Sequence, residues 1–217
     1  MAKTKIALFG GTFDPIHLAH TAVARAAAEH LGAEKVIFIP TKRSPLKQSF
    51  PQAGDKDRLN MIFLAIADDK IFEVSDYELK KTAPCFTIET VEYFQTRFKN
   101  VAELCWLIGA DTIDELPRWY RITDLIDRCT LCAMFRAGCN PPDFSAFETI
   151  WGERRIKKLQ ANIIPTPLLD ISSTDIRAKL AEGKDASDTQ YALRQMLHPK
   201  VADYIRNRRL YQSPPPP

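Results

Sequence analysis

The 217-residue sequence contains no long uninterrupted apolar run, so no segment reads as a membrane-spanning helix. It also lacks a concentration of like charge. Thirty Lys and Arg stand against 27 Asp and Glu, a net charge of +3, and the basic residues are scattered. That distribution argues against nucleic acid as a partner and leaves a small anionic substrate open. Met1-Ala-Lys-Thr-Lys5 leads directly into an apolar strand pattern, so no signal peptide is expected and the expected compartment is the cytoplasm. The cysteines, five in number, do not form a disulfide framework. Cys85, Cys105, Cys129 and Cys132 lie in or beside apolar runs and read as small buried residues. Cys129-x-x-Cys132 has no second pair of matching spacing to complete a four-ligand zinc site, so no protein metal site is expected. There is no internal repeat, no linker between two cores, and no coiled-coil pattern that would speak to oligomeric state.

What is present is an alternation of strand-like and helix-like segments. Strands are expected at Ile6–Phe9, Lys35–Ile39, Phe72–Ser75, Leu104–Ile108, Thr130–Arg136 and Ile163–Ile164. Between them fall helical patterns at Ile16–Leu31, closed by Gly32; at Asp55–Asp69, with Asp55 as cap and Leu59, Ile62, Phe63 and Ile66 inward; and at Thr87–Phe98, with Thr87 as cap and Ile88, Val91 and Phe94 inward. Shorter helices are expected at Thr112–Leu116 and Ile122–Asp127, a basic helix at Phe147–Gln160, one from the Ile171–Arg177 segment to Gly183, and two more at Thr189–Leu197 and Val201–Arg208. The pattern predicts an α/β fold: a Rossmann-like, doubly wound, mostly parallel sheet with a small helical C-terminal part. Residues 1–212 read as a single domain and 213–217, ending in four prolines, as a disordered tail. In such folds ligands sit beyond the C-terminal ends of the strands. There the sequence puts Gly10-Gly11, the Thr41–Lys47 loop, Gly109-Ala-Asp111 and Arg136.

Two segments carry chemistry. In Ile6-Ala-Leu-Phe-Gly-Gly-Thr-Phe-Asp-Pro-Ile-His-Leu-Ala-His20 a strand ends in two glycines and a helix begins with histidines three residues apart, at 17 and 20. At that spacing they share a face, where free N–H groups and the positive helix end also point, which suits phosphate. In Ser172-Ser-Thr-Asp-Ile-Arg177 hydroxyls stand at a helix start with a guanidinium one turn inside. Hydroxyls there ordinarily cap the helix. Beside the first motif they read as a second anion site, Arg177 supplying a planar fork of donors.

Taken together these two motifs resemble the nucleotidyltransferase superfamily marked by H-x-G-H. Leu107-Ile-Gly-Ala-Asp111 with Leu116-Pro-x-Trp119-Tyr120, and Glu78-Leu-Lys-x5-Phe86-Thr87, narrow the resemblance to the bacterial nicotinate-nucleotide adenylyltransferases over Ile6–Tyr211. The resemblance implies adenylyl transfer from ATP to nicotinate mononucleotide, giving nicotinate adenine dinucleotide and pyrophosphate. Other readings are a relative acting on nicotinamide mononucleotide or phosphopantetheine, and a non-catalytic nucleotide sensor. Under the resemblance His17, His20 and Arg177 are the catalytic residues. Gly10, Gly11, Thr12, Phe13, Lys47, Arg136, Ser172, Ser173 and Thr174 serve ATP and its phosphates. Thr87, Asp111, Trp119 and Tyr120 serve the nicotinate nucleotide, Trp119 as the stacking platform. Mg²⁺ is expected on the phosphates rather than in a protein cage. Four positions depart from the family pattern: Ala19 replaces the motif glycine, Leu46 a loop histidine, and Cys85-Phe86 a Ser-Tyr pair.

Overall fold

The computed structural model describes residues 3–43, 45–46, 50–82, 84–99, 101–136, 140–182 and 187–212, with main chain only at 136 and 187–190. Six strands form one all-parallel sheet: β1 (Thr4–Gly11), β2 (Lys35–Pro40), β3 (Phe72–Val74), β4 (Ala102–Gly109), β5 (Thr130–Arg136) and β6 (Ile163–Thr166). Their spatial order is β3-β2-β1-β4-β5-β6. The chain winds outward from β1 in one direction and then, from β4, in the other, so the order reverses between β1 and β4. In doubly wound sheets a crevice opens at that reversal.

The central strands are buried on both faces, which is why they read as unbroken apolar runs rather than alternating ones. Ala7 and Phe9 of β1 face a core shared with α1 (Leu18–Leu31), α2 (Asp55–Ile66) and α9 (Pro199–Arg208). Ile6 and Leu8 face the opposite core, packed by α3 (Thr87–Arg97), α4 (Ile122–Arg128) and α6 (Glu153–Gln160). α7 (Ser173–Ala181) and α8 (Ser187–Met196) join the first face, so the C-terminal helices pack on the sheet's helical layer through Ile176, Leu197, Val201 and Ile205. Among the described residues no helix is long and apolar enough to cross a membrane.

Several local expectations need correction. α1 starts at Leu18, not Ile16, because His17 is extended (φ −143°, ψ 172°) and occupies the N-cap position, following a cis Asp14–Pro15 peptide. Gly54, not Asp55, caps α2, and Phe86, not Thr87, caps α3; Asp55 and Thr87 are the first helical residues. On α2 the buried face is Arg58, Met61, Ile62 and Ile66, while Phe63 is 61% exposed. The basic helix is two helices, α5 (Glu148–Trp151) and α6, because Gly152 takes a positive φ of 80° that ends the helical run. Thr112–Leu116 lies within a longer 3-10 segment, Ala110–Arg118. The last helices begin earlier than expected, at Ser187 and Pro199. Gly32 closes α1 in the left-handed conformation (φ 63°), as expected. Cys85, Cys105, Cys129 and Cys132 are buried and unbridged. Cys139, the Gly183 helix end and the 213–217 tail lie outside the described residues.

Candidate active site

Three lobes meet at the C-terminal ends of β1 and β4. A polar lobe in the middle is lined by Gly10–Asp14, His20, Thr41–Arg43, Asp111, Ser173, Thr174 and Arg177. An aromatic lobe opens from it, where Phe86, Trp106, Trp119 and Tyr120 stand with Thr87, Glu78 and Leu46. A third lobe runs the other way past His17, Ala19, Met134, Phe135, Thr166 and Ile171. Gly10, Gly11, Thr12 and Thr41 border both the polar and the aromatic lobe, while His20 and Asp111 border the polar and the third.

The two glycines are demanded by packing. A side chain on Gly10 would reach 2.5 Å from the Trp106 ring, and one on Gly11 would reach 2.8 Å from the Phe13 ring. Phe13 itself is left-handed (φ 48°), a conformation that costs a bulky residue on the order of 1 kcal/mol. Burial holds it there: 2% exposed, its ring meets Phe9 at 5.5 Å and Phe38 at 5.6 Å. The main chain of residues 11–14 along the polar lobe is thus fixed from below by an aromatic cluster.

His17 and His20 come together as expected, with ring centroids 3.7 Å apart. The His17 main-chain N–H donates to His20 Nδ1 (3.2 Å). A neutral His20 therefore carries its proton on Nε2. Burial lowers the His17 pKa to about 4, and burial first, then the neighbouring His17, lowers that of His20 well below 6.5. Without ligand both imidazoles are neutral near pH 7. Among the described residues the basic side chains lining the polar lobe are, besides the neutral His20 imidazole, Arg177 and, on the β2 loop, Lys42 and Arg43. His17 Nδ1 is buried with no hydrogen-bond partner among the described residues.

Arg177 donates from Nη1 to the Asp14 main-chain oxygen (2.7 Å) and from Nη2 to Thr174 Oγ1 (3.3 Å). Ser173 Oγ donates to the Pro15 oxygen (2.9 Å), so the start of α7 is stitched to the 14–15 turn. Ser172 is a helix cap: its Oγ accepts from the Asp175 N–H (3.1 Å) and donates to the Asp175 carboxylate (2.7 Å), and it does not line the cleft. Lys47 lies outside the described residues, as does the Arg136 side chain; the Arg136 main chain ends β5 opposite Thr166.

On the aromatic side Thr87, Trp119 and Tyr120 converge, and the Tyr120 ring meets Phe86 at 4.7 Å. Asp111 lies instead at the junction of the polar and third lobes, with its carboxylate against Gly109. Of the departures from the family pattern, Ala19 is 8% exposed and forms wall of the third lobe, and Leu46 lines the aromatic lobe. Cys85 is buried, its thiol directed at the Glu78 main-chain oxygen (3.5 Å).

Sequence reasoning missed two buried charges. Arg58 is fully buried; Nη1 donates to the main-chain oxygens of Thr12 (2.7 Å) and Thr41 (2.8 Å), and Nη2 pairs with Asp55 (2.6 Å). One guanidinium thus ties together the β1 and β2 loops that flank the cleft. Glu78, 3% exposed, accepts from the Thr90 hydroxyl (2.7 Å), and burial raises its pKa. A charged residue on an otherwise apolar helix face was the available signal for Arg58.

Among the described residues no group of three or more His, Cys, Asp or Glu is arranged to hold a metal ion.

Comparisons with known proteins bear on the family and the fold. Residues 8–179 match the cytidylyltransferase-like family model. A probable nicotinate-nucleotide adenylyltransferase of Rhodopirellula baltica is 33% identical over 207 residues, covering 95% of this chain and 93% of the relative. The corresponding Neisseria meningitidis protein is 35% identical over 209 residues, covering 96% and 99%. Among solved structures, the nicotinic acid mononucleotide adenylyltransferase of Plasmodium falciparum, complexed with NaAD, superposes with a TM-score of 0.71 at 20% identity. The two chains cover 96% and 97% of each other, a likeness of fold.

Proposed function

We infer, from the premise that this chain belongs to the nicotinate-nucleotide adenylyltransferase family, that it transfers the adenylyl group of ATP to nicotinate mononucleotide. The products are nicotinate adenine dinucleotide and pyrophosphate. The observation that best supports this is the make-up of the cleft: a polar middle flanked by an aromatic lobe on one side and a largely apolar lobe on the other. A dinucleotide has that form, two phosphates between two nucleoside ends.

In this reaction a 5′-phosphate oxygen of the mononucleotide attacks the α-phosphorus of ATP. The new P–O bond forms as the bond from the α-phosphorus to the bridging oxygen breaks, and the electron pair leaves on pyrophosphate. The protein's part is to align two anions and meet the charge that moves to the leaving group. His20 offers its Nε2–H to a phosphate oxygen, a donor whose orientation is set by the His17 N–H. His17 and the main chain of Gly11–Phe13 lie beside it. Arg177, with Ser173 and Thr174, holds the β- and γ-phosphates as a permanent cation. Lys47 and Arg136 belong to the same phosphate group of residues, and Ser172 supports them by fixing α7. Trp119 stacks on the pyridine ring, Tyr120 closes the aromatic lobe, and main-chain N–H groups around Thr87 receive the nicotinate carboxylate. Asp111 accepts ribose hydroxyls. Mg²⁺ enters as part of the ATP substrate, held by phosphate oxygens and water, and neutralises charge on the triphosphate. The reading keeps the cytoplasm as the compartment.

The test is pyrophosphate release from MgATP with nicotinate mononucleotide, nicotinamide mononucleotide or phosphopantetheine as acceptor. Strong preference for the first is expected. Equal use of the nicotinamide nucleotide would remove the carboxylate assignment. Tight ATP binding with no release from any acceptor would replace the enzyme by a nucleotide sensor.

A further inference from the structure

We propose that Tyr211, 34 residues beyond Arg177 in sequence, is a positioning residue for the polar lobe, acting through Asp14. Asp14 is 4% exposed, and its carboxylate is met from three directions. Oδ2 accepts from the Gln52 N–H (2.7 Å), and Oδ1 accepts from the Ala53 N–H (3.1 Å) and from the Tyr211 hydroxyl (2.7 Å). The same residue's main-chain oxygen is the acceptor for Arg177 Nη1. Phe13, Asp14, Pro51 and Arg177 all line the polar lobe. Asp14 is therefore the joint at which the turn after β1, the segment leading directly into α2, α7 and the C-terminal segment are fastened together.

Two features single out Tyr211, one of its backbone and one of its hydroxyl. First, Tyr211 is left-handed (φ 64°). The left-handed Arg209 just before it has an ordinary reason: it terminates α9, with the Leu210 N–H bonded to the Ile205 oxygen (3.1 Å). Tyr211 has no such helix-ending role, and an unfavourable backbone conformation persists only where surrounding contacts hold it. The contacts on hand are the ring's packing on the first core and the hydroxyl's bond to Asp14. Second, phenylalanine would supply the packing alone. The hydroxyl's bond is to a buried carboxylate, and a hydrogen bond to a charged group is stronger than a neutral one. Burial first, and then the bond to Asp14, raise the Tyr211 pKa, so the phenol stays a donor across the working pH range.

The consequence concerns Arg177. Its anchor is the carbonyl of a turn whose side chain Tyr211 pins, so loosening Asp14 lets that carbonyl shift and the guanidinium with it. The turnover part of this inference rests on the adenylyl-transfer reading; the ATP-binding part does not.

The experiment is Tyr211→Phe, with MgATP affinity measured by calorimetry below the variant's unfolding midpoint, and kcat and both KM values from pyrophosphate release. MgATP affinity is expected to weaken about tenfold, the scale of one hydrogen bond to a charged group. The KM for the mononucleotide should be unchanged. Asp14→Asn is expected to weaken ATP binding at least as much, and the double variant to be no worse than Asp14→Asn alone, because the two act in series. ATP affinity of Tyr211→Phe within twofold of the parent overturns the proposal, whether or not thermal stability falls. Fully additive losses overturn the route through Asp14. If the parent binds ATP but turns over no acceptor, the functional reading fails while the calorimetric comparison still decides the role of Tyr211.

Discussion

Two helix starts face the same cleft and are finished differently. α7 opens with Ser172, an ordinary cap whose hydroxyl is committed to the Asp175 N–H and carboxylate. α1 opens with His17, a poor cap by type, buried and packed against a half-buried His20. The first start is complete in itself and contributes to the cleft through Arg177, a cation one turn inside. The second is closed only in part: the His17 N–H is met by His20 Nδ1, a buried nitrogen of His17 has no hydrogen-bond partner among the described residues, and both rings are kept neutral by burial. A helix start that satisfies itself is a scaffold, and one that leaves donors open is able to take an anion. The cleft combines a permanent charge from α7 with desolvated donors from α1.

The largest effect that would test this contrast is at His20. His20→Ala removes a preorganised donor from a buried site while leaving α1's helix-forming residues in place. Turnover is expected to fall about a thousandfold, the upper scale for losing one such donor, with the fold retained by circular dichroism. A variant within tenfold of the parent would mean that α1's unfinished start has no part in the chemistry.

Acidification separates the two starts next. A histidine whose folded pKa is depressed contributes stability that is present above its unfolded value, and that stability is lost as pH falls through the folded value. For His17 the window runs from 6.5 down to about 4, and His20 acts in the same direction. The free protein should lose on the order of 3 kcal/mol from His17 across that window. Chemical denaturation between pH 7 and 4.5 checks this, and His17→Gln should flatten the slope. An unchanged slope would show that the pair is not held neutral by burial.

At Arg177 the contrast is between charge and shape. Arg177→Lys keeps the cation but cannot span both the Asp14 oxygen and Thr174. A fall of about thirtyfold in kcat/KM for ATP is expected, roughly 2 kcal/mol of lost positioning. Full activity in the lysine variant would reduce α7's contribution to charge alone.

How far these features could be read from the sequence follows from the range of the forces that make them. β1, β2, β4 and β5 were legible because strands buried on both faces are written as apolar runs, and α1's end because Gly32 supplies a left-handed residue locally. The pairing of His17 with His20, and the approach of Ser173, Thr174 and Arg177 to the same cleft, followed from helix spacing plus a shared ligand. The failures are tertiary. Periodicity counted Phe63 inward, whereas Arg58 is the buried residue because its guanidinium bridges two loop carbonyls that only the folded sheet brings together. Tyr211 and Asp14 are 197 positions apart, and no local pattern announces their bond. Ser172 was legible as a hydroxyl at a helix start, but whether such a group caps or binds depends on which way the helix presents it.

That ambiguity makes Ser172→Ala the smallest and most discriminating test of the comparison. Its hydroxyl makes both of its recorded bonds to Asp175 and lies outside the polar lobe. Replacing a serine cap by alanine costs about 1 kcal/mol. The expected result is therefore a modest loss of stability in denaturant with kcat and the KM for ATP nearly unchanged. Ser173, whose hydroxyl fastens α7 to the Pro15 oxygen, is the control on the same turn, and Ser173→Ala should alter ATP binding as well as stability. If Ser172→Ala instead raises the KM for ATP by tenfold with stability intact, the two helix starts are alike after all: α7 would turn its cap toward the phosphates when they arrive, and the division between a finished and an unfinished start would hold only for the empty cleft.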